Sequence, residues 1–129
     1  MTVELDHMII PARDKRESAE FLADMLGLPA PVALGPFLAV ALPGGPTLDF
    51  SDADGEIRPT HYAFAVSRAE FDAIFGRVER RGLPFWADPQ RSRPGEIAER
   101  GRGLGFYFPD PSGHFLEVLT RDEAVRAVG

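Results

Sequence analysis

The sequence predicts an α+β fold built from two tandem βαβββ modules, and three observations predict it. A histidine-bearing apolar segment occurs twice, as L-D-H-M-I-I around His7 and as P-T-H-Y-A-F around His61. Each is followed by residues with helical apolar spacing that end in Gly-Leu-Pro, at Gly27 to Pro29 and at Gly82 to Pro84. Each copy then closes on a matching strand, G-P-T-L-D-F at Gly45 to Phe50 and G-H-F-L-E-V at Gly113 to Val118, so Asp49 and Glu117 fall at equivalent places.

In chain order, Leu5 to Ile10 reads as a strand, and the stretch after Pro11 turns helical where Asp14 and Glu17 resemble a capping box. Ala19, Leu22, Met25 and Leu26 give that helix its apolar face. Gly27 then accepts a left-handed cap and Pro29 cannot continue a helix, which ends it. Short strands follow at Ala30 to Leu34, Phe37 to Leu42 and Thr47 to Ser51, separated by Gly35-Pro36 and by Pro43-Gly44-Gly45-Pro46. After the polar stretch Asp52 to Pro59 the plan restarts with a strand at Thr60 to Val66 and a second capping box at Ser67 and Glu70. Phe71, Ile74, Phe75 and Val78 supply the second helical face. Strands at Phe85 to Ala87, Gly105 to Pro109 and His114 to Thr120 complete the unit, and Arg121 to Gly129 reads as a short helical or frayed tail. The spacing from His7 to Asp49 is 42 residues and from His61 to Glu117 is 56. The excess lies in Pro89 to Gly103, an Arg-, Gly- and Pro-rich segment of the kind that is a functional loop or a disordered one.

Length bounds the organisation. A chain of 129 residues is one domain, with module one over about residues 1–55 and module two over about 56–129, long enough to bury a core without a disulfide. Cysteine is absent, so any metal would be held by nitrogen and oxygen. A net charge of −6 opposes binding to nucleic acid or to an anionic membrane. The longest strongly apolar run, Phe37 to Leu42, is bracketed by prolines, and Met1 to Asp6 lacks the basic and apolar regions of a secretory signal. These features predict a soluble cytoplasmic protein whose partners are a small molecule and a second copy of itself.

Strand parity then groups the ionisable residues. His61, Ala63 and Ala65 share one face of their strand and Tyr62, Phe64 and Val66 the other, so bulk faces the helix and small residues surround the histidine. By the same alternation Leu5, His7 and Ile9 align, Thr47, Asp49 and Ser51 align, and Phe115, Glu117 and Leu119 align. His7, His61, Asp49 and Glu117 are thereby placed on faces turned away from the helices. Imidazoles and carboxylates converging in a cavity need compensation for lost solvation, and one divalent cation supplies it. The donor set suits Fe, Mn, Ni, Zn or Co and does not choose among them. The bland readings are a hydrogen-bonded strand histidine at either position and, for Asp49, a cap on the turn that begins at Asp52. His114 has the opposite parity from Glu117 and reads as a hairpin residue. Trp86 reads as a pocket wall or a strand-end anchor. Arg91, Arg93, Arg100 and Arg102 crowd the long segment with Glu96 and Glu99 between them, either as a clamp for an anionic group or as a self-neutralised loop. Gly101-x-Gly103-x-Gly105 leads into a strand, so it lacks the context of a phosphate-binding loop.

The run G-F-Y-F-P-D-P-S-G-H-F-L-E, Gly105 to Glu117, together with the paired histidines, resembles the vicinal oxygen chelate superfamily of glyoxalases, extradiol dioxygenases, fosfomycin-resistance thiol transferases and bleomycin resistance proteins. The resemblance covers nearly the whole chain and implies that the modules form an incomplete mixed-sheet barrel around a divalent metal. It implies His7, His61 and Glu117 as ligands, Asp49 at a fourth ligand position more often held by glutamate, and Tyr107 as a pocket residue that hydrogen-bonds substrate. It also implies an enzyme that chelates neighbouring oxygens of a small molecule, with Glu117 or Asp49 able to act as a base. Where an extradiol dioxygenase carries an upstream histidine, Ala98, Glu99 and Arg100 stand instead. That absence favours glyoxalase-like isomerase or lyase chemistry over a dioxygenase, with a non-enzymatic drug- or metabolite-binding protein as the remaining alternative. Homodimers are expected by the same resemblance, with the metal site inside one chain or shared between two.

Overall fold

The computed structural model describes residues 2–101 and 103–121, so Arg102 and the expected tail after Arg121 lie outside the described residues. Its elements run β1 (His7–Ala12), α1 (Lys15–Leu26), β2 (Val32–Leu34), β3 (Phe37–Ala41) and β4 (Thr47–Asp52), then β5 (His61–Ala65), α2 (Arg68–Arg80), β6 (Ala98–Arg100), β7 (Gly103–Pro109) and β8 (Phe115–Leu119). This is βαβββ twice. Each repeat makes its own four-stranded mixed sheet, ordered β1-β4-β3-β2 and β5-β8-β7-β6, in which the first and last strands of the repeat run parallel. Neither sheet closes into a barrel. No described helix is long and apolar enough to cross a membrane.

The described residues form two compact units: one runs to Arg58 and includes the turn Asp110–Gly113, and the other comprises Pro59–Pro109 and the strand from His114 onward. In the first unit, α1 packs on β1, β3 and β4 through the buried Ser18, Ala19, Phe21, Leu22, Ala23 and Met25. Asp14 caps the helix by accepting from the backbone N–H groups of Arg16 and Glu17. The full capping box expected there does not form, because the Glu17 carboxylate accepts from the Arg13 guanidinium at 2.8 Å instead. Gly27 closes the helix at φ 69°, in the left-handed region where glycine carries no Cβ penalty. The Asp110–Gly113 turn, the D-P-S-G of the sequence run, belongs to this unit because Ser112 Oγ accepts from the Arg13 backbone and shares a hydrogen bond with Ser18 Oγ.

In the second unit the capping box at Ser67 and Glu70 is complete in both directions. Here α2 meets its sheet through rings: Phe71 and Phe75 stand edge-on to the fully buried Phe106, and Phe75 also meets Phe85. The strand expected at Phe85 to Ala87 is reduced to isolated bridges of Trp86 with Tyr107 and with Pro94. The segment expected to be a loop contains β6, which pairs with β7 from Ala98↔Gly105 to Arg100↔Gly103. Charged residues masked that strand from periodicity, and an edge position tolerates them.

Candidate functional site

The ladders place histidine and carboxylate in the same relation in both units. In the first, Ile9 is opposite Asp49, so the carboxylate stands two residues along from His7; in the second, Ala63 is opposite Glu117 and the offset from His61 is the same. Both histidines lie on an edge strand and are exposed, while both carboxylates lie on a central strand and are buried, Asp49 at 4% and Glu117 at 6% exposure. A buried carboxylate needs partners, and the two find different ones.

Asp49 accepts from Thr47 Oγ1 at 3.0 Å, and His7 Nδ1 stands 2.7 Å from Asp6 Oδ2. The Asp6 hydrogen bond raises the pKa of His7, desolvation opposes the rise, and the Asp49 charge adds to it. His7, Thr47 and Asp49 line an open depression of about 510 Å³ with Leu34 and Phe37. In the second unit His61 Nε2 meets Glu117 Oε1 directly at 2.9 Å. Tyr107, the register partner of Glu117 on β7, lies with its ring 5.4 Å from that of His61 and is buried. Burial pushes its phenol above the ordinary tyrosine range; the Arg100 hydrogen bond draws it down, and the charge of Glu117 and a hydrogen bond to it push it up. At neutral pH the phenol is therefore protonated and can donate. A cavity of about 140 Å³ opens here, lined by Glu117, Gly103, Gly105, Leu119, Arg100 and Arg121.

The structure thus brings His61, Glu117 and Tyr107 together in one unit and His7 with Asp49 in the other. Among the described residues no group of three or more His, Cys, Asp or Glu side chains is close enough to hold an ion. The pair His61–Glu117 suits a divalent metal in donor type, an imidazole nitrogen beside a carboxylate oxygen, and the pair His7–Asp49 repeats it. His114 is fully buried, and its Nδ1 accepts from the Thr60 backbone at 3.1 Å with the ring edge-on to Tyr62, so it pins the start of β5.

Arg91 and Arg100 are among the arginines the sequence offers as an anion clamp, but their contacts, and the role of Asp88, are not visible in it. Arg100, noted as the substitute for a dioxygenase histidine, is the partner of Tyr107. Asp88 organises the long loop, its carboxylate accepting from the backbone of Ser92 and Arg93 and from the Ser92 hydroxyl. Arg91 stands over aromatic rings, its guanidinium carbon 4.5 Å from the centre of Phe115 and 5.2 Å from that of Trp86. The D-x-x-R-S spacing signals the capped turn, but which rings lie beneath Arg91 follows from long-range pairing alone.

Comparison with known proteins agrees with this architecture. The family profile described as "Glyoxalase/Bleomycin resistance protein/Dioxygenase superfamily" matches residues 4–118. The solved structure of Oxidase ChaP-H2 is 54% identical, covering 95% of this chain and 96% of that one with a TM-score of 0.92, and Oxidase ChaP-H1 is 52% identical with a TM-score of 0.91 over 95% and 98%. Glutathione transferase FosA of Serratia marcescens is 29% identical over 98% of this chain and 86% of its own. Metallothiol transferase FosB of Shouchella clausii (strain KSM-K16) is 31% identical over 95% and 83%. These relatives are enzymes.

Proposed function

Because the chain belongs to the Glyoxalase/Bleomycin resistance protein/Dioxygenase superfamily, we propose that it is a divalent-metal-dependent oxidase of a small molecule bearing two neighbouring oxygen atoms. The observation that carries the reading is the His61–Glu117 pair with Tyr107 beside it, on a framework 54% identical to an oxidase. His7, His61 and Glu117 would hold the metal, with Asp49 at the fourth position. Bound there, a divalent metal would be chelated by the two substrate oxygens and would polarise them, and a redox-active one such as iron would also supply a route for electrons from substrate to dioxygen. The protein's own groups set the remaining conditions. Ala63 and Ala65 leave room beside His61. The Tyr107 phenol accepts from Arg100 and directs its one proton at Glu117; with Glu117 engaged by a metal, that proton would turn to a substrate oxygen, and burial keeps it in place. Relative to the sequence expectation of lyase or isomerase chemistry, the two oxidases move the preference towards oxidation.

A homodimer is part of the same proposal. Leu5, Ile9, Val32 and Leu34 are each more than half exposed. Ile9 pairs with Asp49, Asp49 with Ala39 and Ala39 with Val32, so this apolar surface lies on the His7 face of the first sheet. A second copy is the partner that would cover it. A monomeric mass by light scattering at micromolar concentration would remove that part.

The test of the activity is oxygen uptake by the full chain with catechol-type and enediol substrates, together with metal analysis of protein purified without added metal. Bound iron and uptake abolished by chelator are expected. Turnover without oxygen uptake, with zinc or nickel bound, would return the reading to a lyase or isomerase. Full activity in metal-free protein and in His7→Ala and Glu117→Gln would overturn the metal reading altogether.

A further inference from the structure

The ligand-bearing face of the second sheet continues past Tyr107 into a row of rings that the proposed chemistry does not use. Tyr107 and Phe115 lie nearly parallel at 5.8 Å, and Phe115 and Trp86 are 5.9 Å apart. Phe115 shares the strand and parity of Glu117, and Trp86 bridges Tyr107, so the row begins at the metal-ligand candidates and leads away from them. Arg91 ends it. Its guanidinium covers Phe115 and Trp86, yet it forms no ion pair among the described residues, although Arg93 two residues on pairs with Glu96. Its backbone is the one non-glycine in the left-handed region among the described residues, at φ 61°, held by the Asp88 turn. A guanidinium stacked by its flat face keeps its N–H edges for a second partner, and an oxyanion is the partner those edges match.

We propose that Arg91, Trp86 and Phe115 form a recognition subsite for a planar aromatic anion, whose carboxylate or phenolate pairs with the N–H edges of the stacked guanidinium and whose ring lies beside it, against the parts of the half-buried indole and phenyl rings that Arg91 leaves uncovered. This deepens the proposed function by naming the substrate class, and it rests on that reading only in assigning the face to substrate. The subsite sets which molecule is offered to the chelating groups, and Arg91 acts as a specificity residue.

Trp86 is the single tryptophan of the chain, so one indole N–H cross-peak in a ¹H–¹⁵N spectrum reports on the subsite. The full chain as purified, and again after dialysis against EDTA, is titrated with 2-naphthoate, 2-naphthamide and cyclohexanecarboxylate, with affinities taken by calorimetry. A saturable shift of the indole peak by 2-naphthoate is expected in both preparations. Arg91→Ala should weaken that binding about tenfold or more, the scale of one charge-assisted contact, and Arg91→Lys should restore only part of it. The amide and the non-aromatic acid should bind as weakly to wild type as 2-naphthoate does to Arg91→Ala. Unchanged affinity in Arg91→Ala, or an indole peak that 2-naphthoate does not move, overturns the subsite, as does a fall in the melting temperature of Arg91→Ala with affinity preserved. Since binding is read with and without metal, failure of the oxidase reading leaves this result standing, and failure here leaves oxygen uptake to be judged separately.

Discussion

The two units share a ladder register and differ in what surrounds the carboxylate. Opposite Asp49 stands Ala39, and opposite Glu117 stands Tyr107. Asp49 is satisfied by a hydroxyl two residues away on its own strand, whereas Glu117 engages a histidine and a phenol from the strands on either side. The neighbours on the first face are exposed aliphatics, and on the second they are rings and arginines. The two repeats therefore share the backbone positions that bring nitrogen and oxygen donors together and differ in side chains: exposed aliphatics on the first face match the proposed dimer contact, and rings and arginines on the second match the proposed substrate contact.

The same divergence runs through the cores, and there the largest effect is expected. Leu38 and Phe106 occupy equivalent positions, opposite Phe50 and Val118. The backbone of α1 comes close to β1, β3 and β4 through a face that includes Ser18, Ala19 and Ala23, whereas α2 meets its sheet through phenylalanines that converge on Phe106. Phe106→Ala should cost about 3–5 kcal/mol and Leu38→Ala about 2–4, from urea unfolding midpoints at equal slope. Equal costs would mean that the aromatic cluster adds nothing beyond volume.

Next in size is the difference between the carboxylates. Glu117→Gln should lower metal affinity more than about a hundredfold, because a proposed ligand is lost, and Asp49→Asn about tenfold. Competition with a chromogenic chelator reads both. A reversal of that order would make the first unit the dominant metal-holding half and break the proposed division of labour.

Tyr107→Phe separates substrate handling from metal holding. Turnover should fall about 10- to 100-fold with bound metal unchanged, because a positioned donor is lost while the ligands remain. Arg100→Ala should give a smaller fall, since in the proposed site it would act on substrate only through the phenol it bonds. Loss of metal in Tyr107→Phe would instead make the phenol a support for Glu117.

Much of this comparison is legible in the sequence. The repeat, both helices and most of their apolar faces follow from His7, His61, Gly27 and Gly82 and the apolar spacing between them, which are local signals, and the family from the resemblance carried by the run Gly105 to Glu117 with the paired histidines. Parity correctly put small residues beside His61, and the exposure of alternate residues along β5 follows it. What the sequence concealed depends on pairing at a distance. β6 consists of Ala98, Glu99 and Arg100 and looks like loop, because an edge strand can carry charges. Arg91 looks like one of four interchangeable arginines until Trp86 and Phe115 are brought beneath it. The Asp14–Glu17 pattern matched a capping box, but Arg13 one turn earlier competes for the glutamate, and spacing rules do not weigh competitors.

That competition gives the smallest and sharpest test of the two halves. Ser67→Ala should cost about 1 kcal/mol through loss of the bond to the Glu70 N–H, and Asp14→Ala a similar amount. The pH dependence should differ. The backbone of Ser67 first, and then its hydroxyl, holds the Glu70 carboxyl below the usual carboxylate range in the folded protein. A group depressed in this way contributes stability above its unfolded pKa, and the contribution disappears as pH falls through the folded value. Glu70→Gln should therefore destabilise at pH 7 and lose that effect as pH falls through the lowered folded-state pKa of Glu70. In the first helix Glu17 bonds to a side chain and leaves the Asp14 backbone uncapped by a carboxylate, so Glu17→Gln should perturb the helix start less at pH 7. If the two glutamine variants titrate alike in thermal melts across this range, the reciprocal cap of α2 is no stronger in solution than the one-sided cap of α1.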